Sequence, residues 1–546
     1  MEVTLFRTGS VTWVERVFGL ILVIPVIGLF DEALGQYSDR SWTTGVDRLL
    51  NEPALVQSIV LSIWVAVVSL AISISLARYL SGQCVTSGSV RRWQSLLLAI
   101  PHSALALGLL LALSSGGVGW RWVSQFLEPS ADHQYLFPRD PWGLGLIASL
   151  VIKETAFLTA IAIPIAQRLP LASYRALSRQ AGLTQTESFN QLIWPQVLSL
   201  MKPALFVVFV FGLTNLEVSL ILGPDQPQVF AVRLFQLVTD PNPLNRQAGS
   251  LGLIVLLLSL GMAWLIFRHV FRTRLHQERM VHHTPGWVWL SIDRCLIGLV
   301  CLSLLSLLLW SITQRWSVAD VLPVMSFRLA GLAPLVDPMI MSLMIGCTTT
   351  VLSVGLAIVV LEYQVFRGYA RLHWVWWAFL WMPALPMAAG LLAWIYLLGG
   401  APGLGPVILG HTLIALPYVM IVMSDAWFAR DLRYQMILNQ SGLARWRAVI
   451  QIWIPRHSRL LLIAAALAFS VSCALYTQTV LLGGGRIETL MTELMVAVSG
   501  ERRIAAFSGL MNLLLPLMAF VLVQLVNQWS WRNRIGMQGE GDADFR

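Results

Sequence analysis

QSGLARWRAVIQIWIP, residues 440–455, has a counterpart 260 positions earlier in QAGLTQTESFNQLIWP, residues 180–195. Both begin Gln-X-Gly-Leu, and both close on a proline thirteen residues after the glycine. Each is a polar interruption in an otherwise oily chain, so their placement decides how the rest is read. The 546 residues are 57% hydrophobic and only 12% charged, with a mean hydropathy of +0.71. Soluble domains carry about 25% charged residues. Apolar runs long enough to span a bilayer recur throughout, which predicts an all-α polytopic membrane protein.

Twelve spans are expected, at 14–30, 55–77, 94–114, 143–166, 203–222, 248–267, 295–312, 339–361, 374–398, 405–424, 460–482 and 507–528. The first is short, and no small-residue cleavage pattern follows it, so it reads as a retained anchor. With both termini inside, 25 of the 37 Lys and Arg fall in inside segments and 11 in outside ones, Lys153 lying within a span. That bias follows the positive-inside rule and accounts for the net charge of +9 without nucleic-acid binding. Cys84, Cys295, Cys301, Cys347 and Cys473 lie in or beside apolar runs with no metal-ligand spacing, and read as small buried side chains.

Sliding the sequence against itself by 260 gives an ungapped match from about 182 to 255. Gly182 falls on Gly442, Gln191 on Gln451, Pro195 on Pro455, Phe209 on Phe469, Gly223 on Gly483 and Gly249 on Gly509. Upstream, AIPHSALALGLLLALSSGG (99–117) matches WMPALPMAAGLLAWIYLLGG (381–400) after small shifts. The expected organisation is a first six-span repeat at 1–267, a basic connector at 268–294, a second repeat at 295–528 and a polar tail at 529–546. Six spans per half make the repeats parallel, related by an axis along the membrane normal, as recurs in transporters.

The interruptions follow spans four and ten, on the expected cytoplasmic face. Structureless loops beyond about 15 residues are uncommon between packed helices unless they have a function. In 443–454, Leu443, Trp446, Val449, Ile450 and Trp453 recur at helical spacing, with Arg445, Arg447 and Gln451 between them. This predicts a short amphipathic helix, opened after a corner at Gly442 and ended by Pro455. A single copy suits a helix lying on lipid headgroups. Two matched copies suit a partner with two equivalent grooves.

The pattern resembles the cytoplasmic loop of ATP-binding-cassette importer permeases: Glu-Ala-Ala, three residues, Gly, nine residues, Ile, one residue, Leu-Pro. Here the first copy supplies Ala176-Leu177-Ser178, Gly182, Leu192 and Trp194-Pro195. The second supplies Met436-Ile437-Leu438, Gly442, Ile452 and Ile454-Pro455. The Glu-Ala-Ala triplet is replaced in both. The doubled layout resembles the fused permeases of thiamine and ferric-iron importers. The resemblance implies a type I importer permease fold and a bacterial inner-membrane location. It also implies a separate ABC ATPase subunit in two copies, docked at Ala176, Gly182, Leu192, Pro195, Gly442, Trp446, Ile450, Ile452 and Pro455, and a soluble binding protein outside. This chain has no P-loop: its two lysines lie in IKET and MKPA, and neither follows a glycine. ATP is therefore expected on the partner, with no cofactor in this chain.

Lys153 and Glu154 fall in mid-span four, and Glu217 in span five; its counterpart is Thr477, flanked by Tyr476 and Gln478. Intramembrane charges cost about 2.5–3.5 kcal/mol on insertion scales, so they face a partner or a watery path. Either Lys153 pairs with Glu217 between helices, or Lys153, Glu154, Glu217, Tyr476, Thr477 and Gln478 line the translocation path. His102 reads as a packing or hydrogen-bonding residue. No nucleophile–base pair, carboxylate pair or metal cluster is legible, so no catalytic or metal-binding residue is expected. A 6+6 secondary transporter would share the parallel repeat but has no need of twin amphipathic loops; a membrane-embedded enzyme needs a polar catalytic cluster. The substrate stays open among thiamine, ferric iron, a polyamine and other small polar solutes.

Overall fold

The computed structural model describes residues 13–35, 41–87, 97–98, 100–123, 137–274, 286–316, 323–325, 333–368, 372, 374–430 and 444–532. The chain is an all-α membrane bundle, with one short strand pair, Thr313–Arg315 on Val324–Met325, at its edge. Among the described residues, nine helices are long and apolar enough to cross a bilayer, or up to twelve if each of three bent pairs counts as one span. Its outer surface is oily. Val56, Val60, Ile63 and Val67 of Leu55–Ser87, and Leu258, Met262 and Leu265 of Pro243–Arg274, all face outward. Only lipid makes such a surface stable.

Inside, small hydroxyl residues let helices approach closely, as in other membrane bundles. Ser58, Ser62, Ser69 and Ser73 of Leu55–Ser87 are all buried, and that helix packs along Leu144–Gln167. The halves of the chain interlock. Trp13–Leu34 lies on Ala384–Leu397, with Gly28 and Gly390 so close that a Cβ on either would strike the other helix's backbone. Gly286–Ile312 lies on His102–Leu113 in the corresponding way, where Ser303 Oγ donates to Leu105 O at 3.0 Å over Gly108. A further matched pair fixes the segments after the fifth and eleventh spans. Phe230 N–H donates to Ser62 Oγ at 2.8 Å, and Leu490 N–H donates to Ser342 Oγ at 2.9 Å.

Three expected straight spans are broken. The 203–222 run is two helices, Lys202–Thr214 and Glu217–Leu222. The 460–482 run divides at the matching place, into Ser458–Ala474 and Thr477–Gly483. The 374–398 run bends by 100° ahead of Ala384, where Pro383 interrupts the helical ladder. Hydropathy averages over such breaks because the residues on both sides are apolar. At the connector, Pro243–Arg274 and Gly286–Ile312 reach into 268–294 from either side. The cysteines also correct the expectation of burial: Cys295, Cys301 and Cys347 are exposed, and only Cys473 is buried. On a lipid-facing helix the apolar surroundings that suit a thiol lie outside the protein.

Candidate functional site

The two repeated segments share one backbone device. Phe189–Ile193 and Val449–Trp453 are single π-helical turns at the same offset of 260. Each leads into a short α-helix, Trp194–Leu200 or Ile454–Arg456, with its proline near the start. Proline cannot donate to the carbonyl four residues back, and its ring crowds that carbonyl. The wider turn just upstream opens the ladder there, so the chain reaches the proline without a clash. It then turns sharply into the membrane helix, by 68° in the first copy and 84° in the second.

In the first copy, Leu171–Gln180 ends at Gly182, whose φ of +68° only glycine adopts freely. Gly182 N–H and Leu183 N–H return to Arg179 O and Ser178 O, satisfying the open end of that helix. Thr184 and Glu187 then cap the next helix reciprocally, Thr184 N–H donating to Glu187 Oε2 at 2.8 Å. Ala176 is exposed, while Leu192 and Pro195 are half-buried. In the second copy Gly442 lies outside the described residues; Ile452 is half-buried and Pro455 exposed.

The expected single apolar stripe of the second copy is divided between two faces. Val449 and Trp453 are buried in the bundle, whereas Trp446 is 48% and Ile450 61% exposed. The apolar arc is wider than the surface the bundle offers it, and the excess points away. What pins this element was not legible. Glu362, near the end of Val336–Phe366, accepts from Arg430 at 2.6 Å, Arg445 Nε at 3.2 Å and Trp427 Nε1 at 3.3 Å. The Arg430 guanidinium lies between the Trp427 and Trp453 rings, 4.1 and 4.4 Å from their centroids, where cation–π attraction adds to the ion pair. In the sequence Glu362 is only the polar end of a span, and its partners come from 65 to 83 residues away. The cluster of one acid and two arginines around tryptophans is its signal.

The intramembrane polar residues separate into two groups. Thr477 Oγ1 donates to Glu217 Oε1 at 3.0 Å. These two residues are 260 apart, so a position touches its own counterpart; that happens only beside the axis relating two copies. The backbone amides of Tyr476 and Thr477 also face this carboxylate. They open Thr477–Gly483, a helix with no cap from its own N-cap side chain. In the first half, Asn215 Oδ1 accepts from Val218 N–H at 2.7 Å and does that work locally. Leu475 stands where Asn215 would, and the acceptor arrives from the other half.

Lys153 is elsewhere. Its ammonium donates to Leu97 O at 2.6 Å and to Ile100 O, so the alternative of a Lys153–Glu217 ion pair is corrected. Pro101 has no N–H to give the Leu97 carbonyl, which takes Ile100 N–H at 3.3 Å, and the buried lysine adds its donor there and at Ile100 O. Glu154 sits 3.5 Å from His102 Nε2, and the His102 ring packs at 4.7 Å on Phe211. Gln478 donates to Ala384 O at 3.2 Å. Among the described residues no group of three His, Cys, Asp or Glu could hold a metal ion.

No protein-family model matches the chain. Over 465 residues it is 30% identical to the inner membrane ABC transporter permease protein YnjC of Escherichia coli (strain K12). The match covers 82% of this chain and 84% of that protein.

Proposed function

The chain belongs to the ABC transporter permeases, and from that premise we propose that it forms the translocation path of an ATP-driven importer for a small polar solute. Two copies of a separate ATPase dock on the twin π-turn elements, and a soluble binding protein delivers the solute on the opposite face. The chain sits in a bacterial inner membrane with both termini in the cytoplasm, as two parallel six-span repeats joined through 268–294. It catalyses nothing itself. ATP-driven closure of the partner draws the elements together and rocks the halves about the axis where Glu217 meets Thr477.

One observation carries this reading. Two elements of the same unusual backbone, placed at the same offset, each project from a membrane helix through a sharp bend. The second exposes Trp446 and Ile450, the kind of large apolar side chains that anchor a partner in a groove. The test is co-purification. Changing Trp446 and Ile450 together to Asp abolishes recovery of the co-expressed ATPase while the permease still inserts in the membrane. Full recovery with both changes present removes the docking claim.

A further inference from the structure

The residues at the meeting of the halves point to the charge of the cargo. Glu217 is partly exposed, although it lies among buried neighbours: Asn215, Leu216, Val218 and Thr477. Among the described residues no lysine, arginine or histidine pairs with it; its partners are a hydroxyl and backbone amides, all neutral. Lys153, the cation that could have been its counter-ion, is buried and held by two carbonyls. Beside the carboxylate stands the half-buried Tyr476, its ring 6.1 Å from that of Phe235. An acid with aromatic side chains close by suits an organic cation, since aromatic rings attract positive charge. A carboxylate within a bilayer is costly even with a hydroxyl and helix-start amides as partners, and in transport proteins such residues mark ion or substrate paths.

We infer that the cargo carries a positive charge, which pairs with the Glu217 carboxylate as it crosses the axis between the halves. This rests on the import reading above. An anionic cargo would meet repulsion from the carboxylate beside the axis, and a neutral cargo would gain no charge pairing there.

The test uses the whole complex, permease with its ATPase and binding protein, in proteoliposomes supplied with ATP. The probe is the low-mass fraction of a cell extract, divided by ion exchange into cationic, neutral and anionic pools. Accumulated solutes are read by mass spectrometry. The expected result is accumulation from the cationic pool. Glu217→Gln should lower it by about tenfold or more, the loss of one charge-assisted contact, while Glu217→Asp keeps most of it. Accumulation of a neutral or anionic solute instead overturns the inference and leaves the import reading standing, as does undiminished import of a cation by Glu217→Gln. Should the Gln variant fail to assemble, the wild-type choice among the three pools still decides. ATP hydrolysis with no accumulation from any pool removes the import reading and the inference with it.

Discussion

The two projecting elements have one backbone and two ways of being held. In the first half the Phe189 ring lies over Gly82, and Arg78 Nε donates to Asn190 Oδ1 at 2.8 Å. The matched acceptors Ser62 and Ser342 put Glu362 at the position corresponding to Gly82. Where the first half packs a ring onto a glycine, the second buries a carboxylate with two arginines and two tryptophans. The outward positions differ as well: Thr186 stands where the second element has Trp446, and Asn190 where it has Ile450. A π-turn and a proline are enough to set the backbone; the side chains then allot anchoring and partner contact differently in each half.

The largest effect should come from the buried charge cluster. Glu362→Ala leaves the Arg430 guanidinium, 3% exposed, with no acid beside it. Removing one partner of a buried ion pair costs about 3–5 kcal/mol. Gly82→Ala in the first half adds a methyl 3.0 Å from the Phe189 ring, and overpacking of that kind costs about 1–3 kcal/mol. Thermal unfolding of the detergent-purified chain compares them. Equal losses from the two changes would mean that the halves are held alike after all.

Next comes the outward face. Truncating a central apolar anchor costs about 2–4 kcal/mol of binding, whereas most other interface positions cost under about 1. Trp446→Ala should therefore weaken binding of the ATPase by about thirtyfold or more. Thr186→Ala in the first half should change it by less than about fivefold. Titration of the purified ATPase against each variant in nanodiscs reads both. Comparable losses would show that the partner grips both elements equally, despite their different surfaces.

How much of this was legible follows from how far each contact reaches. The apolar helices and the corner at Gly182 were readable because hydropathy and a left-handed turn act within a few residues. Pro195 and Pro455, by contrast, do not end their helices as expected but sit inside them, after a π-turn that makes room for the ring. The break at Asn215 was hidden, since one polar residue in an apolar run looks the same in a straight helix as at a cap. Glu362 was hidden because its arginines lie 68 and 83 positions away. Glu217 is an intermediate case. The offset of 260 matched it to Thr477, but that the two touch follows only from both lying beside the axis. The amphipathic stripe showed that Trp446, Val449, Ile450 and Trp453 lie on an apolar arc, but periodicity does not say how much of that arc the bundle covers and how much it leaves outward.

The comparison extends into the membrane at Lys153, whose place in the second half is taken by Leu413. Both halves turn ahead of the matched proline, Pro101 and Pro383 each standing in extended backbone at the start of its helix; only the first brings a lysine to the carbonyls there. Lys153→Met should leave a buried carbonyl without its donor, for about 1–3 kcal/mol of stability. Adding Glu217→Gln should not restore it, because the two residues do not pair. Rescue by the double change in a thermal melt would revive the ion pair and overturn the assignment of Lys153 to the carbonyls.

The smallest difference is at the start of the elements, where only the first has a cap. Thr184 Oγ1 accepts from Glu187 N–H at 3.3 Å, and Glu187 Oε2 accepts from Thr184 N–H and Oγ1 at 2.8 and 2.7 Å. The second element has Ala444 and Arg447 at these positions, and Ala444 makes no side-chain cap. It begins beside the Glu362 cluster, where Arg445 is pinned, so a local cap adds less there. Losing an N-cap hydroxyl costs about 0.5–2 kcal/mol, spent on the first turn of the helix and not on the bundle. Thr184→Ala should therefore speed amide exchange at 185–188 by about fivefold with no shift in the global melt. Ala444→Thr should leave exchange at 445–448 nearly unchanged, because the buried acid already holds that turn. Marked slowing there would show that the second element frays at its start as the capless sequence implies, and that the cluster anchors only its far end.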